Sequence, residues 1–284
     1  MKKTITQTAF LIIFSFLFFA CRQDESIQKN NATILTDNEI HNLGVEHNNA
    51  LSSVLTGLKN RKNSQDLDEK SFLTILNVEL SSYYKTLYSS KTDMLQSANQ
   101  YSQTEVSKYL QVTKDRTFLR ADTDLTPIES VIAKHKATLS NDQISLLIQC
   151  DKALESASDD IDGTINELNR IQNSARKILS KEEAQVILIG AEIGKSSINY
   201  WNENFNDWKA LIAPTNQQAR TALKFSWGEV AGADVAGGVG GAVGALAVNL
   251  IPGAGQVAYG GAIIGGAAGA SAADAVYQVW NNFF

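Results

Sequence analysis

From residue 36 to residue 213 apolar side chains recur every three or four positions, the spacing that lines one face of an α-helix. Thr36-Asp37-Asn38-Glu39 has the form of a capping box, in which a hydroxyl and a Glu three residues later satisfy each other's backbone N–H groups at a helix start. Ile40, Leu43, Leu51, Val54, Leu55 and Leu58 then share one face. The polar stretch Arg61 to Asp68 predicts a loop, and Phe72, Leu73, Leu76, Leu80, Tyr83, Tyr84 and Leu87 predict a second helix. Met94, Leu95, Ala98, Tyr101, Glu105, Tyr109 and Val112 predict a third. Thr126-Pro127 is a strong start, because proline at the first helical position lacks only an N–H that would go unused there. A second capping box, Ser140 to Gln143, opens a run that keeps its spacing from Ile144 to Leu179, with Gly163 as the point of weakness. Ser180 to Glu183 opens the last run, which ends before Pro214. In that run Gly190 and Gly194 would let another helix come close. The expectation is an all-α, antiparallel bundle of about six helices over residues 36–213, with a sub-boundary near 117–125.

The pattern changes completely after Asp234. Val235 to Ala273 contains no charged residue and is mostly Gly and Ala, with the turn signal Ile251-Pro252-Gly253-Ala254-Gly255 near its middle. This predicts a helical hairpin within residues 226–284. Gly228, Gly232, Ala236, Gly240 and Gly244 recur every four residues in the first arm, and Gly261, Gly265, Gly269 and Ala273 do so in the second. Such stripes let helix backbones approach closely. They resemble glycine-zipper membrane segments, found in pore- or channel-forming proteins and in envelope lipoproteins. The resemblance covers Trp227 to Ala273 and implies helix packing through Gly228, Gly232, Gly240, Gly244, Gly261, Gly265 and Gly269.

The arm lengths fit a bilayer. Asp234 to Pro252 rises about 27 Å and Gly255 to Asp274 about 28 Å as helix, against a hydrocarbon core of about 30 Å. A hairpin places Trp227, Tyr277 and Trp280 at one end with Glu229, Asp234 and Asp274, as in an interfacial aromatic belt. Gly and Ala are only weakly apolar, so insertion would be conditional.

Residues 1–20 have the layout of a secretory signal: Lys2 and Lys3, then the apolar stretch Ala9 to Ala20, which is too short to span a bilayer. Ala20-Cys21 resembles the lipobox of bacterial lipoproteins, with Phe18 and Phe19 departing from the usual residues. The resemblance implies acylation of Cys21 (palmitate or a similar chain), with residues 21–35 as a flexible tether. Asp24-Glu25 resembles the export signal of surface-exposed Bacteroidota lipoproteins and also a retention signal in other bacteria. The expected location is the cell envelope: lipid-anchored, at the outer membrane, and surface-exposed in the export reading.

Composition narrows the function further. Loss of Lys2 and Lys3 takes the net charge from −5 to roughly −7, which argues against nucleic acid as a partner. The three histidines lack cysteine partners, and His41 and His47 fall on different helix faces, so neither a metal nor another cofactor is expected. Asp159, Asp160 and Asp162 before Gly163 lack the closing Glu of a calcium loop. Gly237 to Gly241 has neither the preceding strand nor the lysine of a phosphate loop. Cys150 reads as a small core residue. No catalytic residues are expected.

Two readings remain. In the first, a non-enzymatic lipoprotein inserts or oligomerises through its hairpin, in the sharper form as a membrane-permeabilising toxin; its partners would be membrane lipid and other copies of itself. In the second, it is a surface-exposed helical interaction module with the hairpin packed as its own core.

Overall fold

The computed structural model describes residues 34–62, 68–112, 125–212, 226–249 and 258–283. The signal, Cys21, almost all of the tether, most of the 117–125 segment and the Ile251–Gln256 turn lie outside them. The described residues form nine helices and no strand: α1 (Asp37–Lys62), α2 (Glu69–Leu87), α3 (Thr92–Val112), α4 (Pro127–His135), α5 (Asn141–Glu155), α6 (Ile161–Ile178), α7 (Lys181–Ile212), α8 (Trp227–Asn249) and α9 (Ala258–Phe283).

The polar signals at the helix starts act as the sequence implies. Thr36 and Glu39 bond reciprocally before α1, and Thr126 with Glu129 and Ser140 with Gln143 close capping boxes at α4 and α5. Ser180 and Glu183 do the same at α7. The long run expected from Ile144 to Leu179 is two helices. α5 ends at Glu155, and Asp160 restarts the chain as α6 by accepting from the Gly163 N–H. That break gives seven helices before the hairpin among the described residues, where the sequence pattern predicts about six.

Helices α1 to α7 put their apolar faces inward. Leu51, Leu58, Leu73, Leu76, Leu80, Tyr84, Leu147, Leu154, Trp201 and Trp208 are all fully buried. The hairpin arms are buried with them, in one continuous core. α8 packs on α4, α5 and α7, and α9 packs on α1, α2, α3 and α7. Residues Ala32–Phe284 form one compact unit, so helices and hairpin share a single interior.

Candidate functional site

The hairpin is the feature on which both sequence readings turn, and its glycines show how it is held. α8 and α9 run antiparallel and touch backbone to backbone. A Cβ added to Gly237 would stand 2.3 Å from the Gly266 carbonyl oxygen, and one on Gly241 would stand 2.4 Å from that of Ala262. The second-arm stripe faces a different helix. Gly261, Gly265 and Gly269 meet the backbones of Met94, Ala98 and Ser102, so α3 runs parallel to α9 along this row. The first-arm stripe is dispersed: Gly228 meets the Leu154 carbonyl in α5, Gly240 meets Val131 in α4, and Gly244 meets the Tyr101 ring of α3. A Cβ on Gly232 would touch nothing within 4 Å. Gly190 and Gly194 of α7 admit Val235 and Val239 of α8.

From Tyr259 to Trp280, α9 is buried at every position except Gly260 and Tyr277, which are half-buried. The aromatic end packs against the bundle. Trp227 meets Phe205 with ring centroids 5.2 Å apart, Tyr277 meets Tyr109 at 5.8 Å, and Trp280 meets Phe72 at 6.2 Å. The indole N–H of Trp201 donates to Ser271 Oγ at 3.0 Å and ties α7 to α9.

The two bracketing aspartates are buried at the base of the hairpin. Asp234 is 0% exposed and Asp274 9%. His47 of α1, also fully buried, places Nε2 3.2 Å from Asp234 Oδ2. The hydrogen-bond network fixes its tautomer. Asn48 donates its amide to the Ser196 carbonyl at 3.0 Å and so turns Oδ1 toward His47 Nδ1, 2.9 Å away. Nδ1 must therefore carry a proton. Nε2 and the carboxylate both have lone pairs, so the contact is favourable only with a second proton between them, as imidazolium–carboxylate or as imidazole–carboxylic acid.

Among the described residues Asp274 has no cation opposite it. Its oxygens accept from Gln278 Nε2 at 2.7 Å and from the Tyr109 hydroxyl at 3.1 Å, and Gln278 Oε1 accepts the Ser226 N–H at 3.1 Å. Burial raises the Asp274 carboxyl to about 7; the two hydrogen bonds oppose that rise, and Glu229 and Asp234 add to it. Burial and the neighbouring Asp274 push the Tyr109 hydroxyl well above its ordinary value, so it stays a donor.

The other sequence candidates are not brought together. His41 lies on the surface against Glu192 at 2.9 Å, while His135 lies at the end of α4. Among the described residues no group of three or more His, Cys, Asp or Glu is placed to hold a metal ion. Cys150 is buried, and desolvation raises its thiol to about 12, which leaves it protonated and unreactive. Searches against protein-family models, curated proteins and solved structures found no match to this chain.

The residues that sequence reading missed are His47, Tyr109 and Gln278. His47 and Asp234 are joined only by the tertiary fold. One local signal did exist: Asp274 and Gln278 lie four apart, where helix neighbours meet.

Proposed function

We propose that this chain is a lipid-anchored, non-enzymatic protein of the bacterial cell envelope, which keeps a glycine-rich hairpin sheathed by amphipathic helices and presents it to a membrane when the sheath opens. The observation that carries this reading is the burial of α9 from Tyr259 to Trp280, broken only at the half-buried Gly260 and Tyr277, with no charged residue between Asp234 and Asp274. A helix apolar all round has two stable surroundings, a protein interior or a bilayer. The arms would enter together, because the contacts Gly237–Gly266 and Gly241–Ala262 do not depend on the sheath. Insertion would require the pair, since among the described residues no helix is long and apolar enough to cross a membrane. Acylated Cys21 would hold the protein at the outer membrane.

The second reading is an interaction module whose hairpin is a permanent core. The contacts of Gly261 and Gly265 with the α3 backbone favour it, because they are as close as those between the arms themselves. Purified residues 22–284 offered to dye-loaded liposomes, with carbonate extraction of a Cys21→Ala variant from cells, separate the two. Dye release and retention in the membrane fraction support insertion. An intact dye load with full extraction supports the module and removes the membrane reading, including its toxin form.

A further inference from the structure

At the base of the hairpin each arm carries one buried aspartate, and the two are balanced differently. Asp234 faces the His47 imidazole, with Oδ2 3.2 Å from Nε2. Asp274 meets, among the described residues, only neutral donors, Tyr109 and Gln278. Among the described residues the ionisable groups around Asp274 are almost all acidic. α8 brings Glu229 and Asp234, and α3 brings Tyr109 and Glu105, whose carboxylate is paired with Lys108. α1 brings His47, and the buried titratable groups of α2 and α7 are Glu69 with Tyr84 and Tyr200. His47 is the one buried imidazole here, and it already faces Asp234. Among the described residues, a charge on Asp274 therefore has no opposite charge to meet, and it sits on one arm while Glu229 and Asp234 sit on the other. Further along, the arms hold each other through uncharged contacts at Gly237–Gly266 and Gly241–Ala262.

We propose that the base of the hairpin is a proton-operated latch: with Asp274 protonated both arms stay seated in the bundle, and loss of that proton loosens the base first. The raised carboxyl supports the direction. A buried acid that titrates near 7 when closed and near its ordinary 3.8 when open contributes stability below about 4, which is lost as pH rises to about 7. Acid therefore closes the latch. This extends the membrane reading and rests on it in one respect only, the destination of the freed hairpin. In an inserted hairpin Asp274 would stand at the aqueous interface, where its charge is solvated. Insertion would then release the proton and would favour neutral over acidic pH.

Amide hydrogen exchange tests the latch without a membrane. In the chain from residue 22, corrected for intrinsic rates, opening of the segments around Asp234 and Asp274 rises by up to tenfold per pH unit between pH 5 and 7 and levels off above. In Asp274→Asn that rise is absent. In Tyr109→Phe, which loses a donor to the carboxylate, the levelling-off moves to higher pH. Equal pH dependence in wild type and Asp274→Asn overturns the latch; should Asp274→Asn fail to fold, an unmoved profile in Tyr109→Phe overturns it. Liposome assays at pH 5 and 7.5 read the destination separately. A working latch without dye release at either pH removes the membrane reading and leaves the latch standing.

Discussion

Gly265 of α9 meets Ala98 of α3 backbone to backbone: a Cβ on Gly265 would stand 2.2 Å from the Ala98 carbonyl oxygen and 2.7 Å from its Cα. No rotamer change relieves such a contact, because every atom involved is main chain. Gly265→Ala must push two helices apart and is expected to cost about 1–3 kcal/mol or more. Gly232 belongs to a similar four-residue stripe but has open space at its Cβ position. There alanine brings only its better helix propensity, and Gly232→Ala should gain up to about 1 kcal/mol. Urea denaturation of the two variants checks the opposite signs. Equal effects would mean that the stripe, and not the α3 contact, decides.

The bond from the Trp201 indole N–H to Ser271 Oγ crosses from α7 to the buried arm. Ser271 is 0% exposed, so water cannot take the place of its hydroxyl. Ser271→Ala should destabilise by about 1–3 kcal/mol, the cost of a buried donor losing an acceptor. Chemical denaturation followed by tryptophan fluorescence measures it, and an unchanged midpoint would contradict the bond.

A second titration belongs to Glu192 of α7, beside His41 of α1. Desolvation raises the Glu192 carboxyl, but hydrogen bonds from Lys195 (2.6 Å), His41 (2.9 Å) and Gln172 (3.4 Å) outweigh it, and the group lies below its ordinary value of 4.5. A depressed acid contributes stability above the unfolded value, and that stability is lost as pH falls through the folded one. Glu192→Gln should therefore be less stable than wild type at pH 6–7, by about 1–3 kcal/mol for charge-assisted bonds. The difference should shrink toward zero by pH 3. Urea midpoints across pH 3–7 give the curve. A constant offset would place the effect in packing instead of charge.

Helix periodicity and capping residues made the bundle legible, because both are local. Ser140 and Gln143 announce α5 within four residues, and Thr126-Pro127 announces α4. The Gly/Ala composition marked the hairpin, but no local pattern could say which stripe meets which partner. Gly261, Gly265 and Gly269 would be spaced identically whether they faced Gly240 or, as they do, Met94, Ala98 and Ser102. The base of the hairpin was least legible. Asp234 and Asp274 look like solvated flanks of an apolar stretch, and only the fold brings His47 and Tyr109 to them.

That pair of long-range contacts supports a rescue experiment. His47→Leu removes the imidazole from a fully buried carboxylate and leaves Asp234 without the group it faces. Breaking a buried pair from one side typically costs about 3–5 kcal/mol, mostly the penalty of the stranded charge. Adding Asp234→Asn removes that charge and keeps nearly the same volume. The double variant His47→Leu/Asp234→Asn should therefore be more stable than His47→Leu alone, and the double-mutant cycle should show a coupling of more than about 1 kcal/mol. Thermal and urea unfolding of the four proteins at pH 7 supplies the cycle. If the two substitutions simply add, Asp234 does not depend on His47, and the shared proton inferred from the Asn48 network is not there.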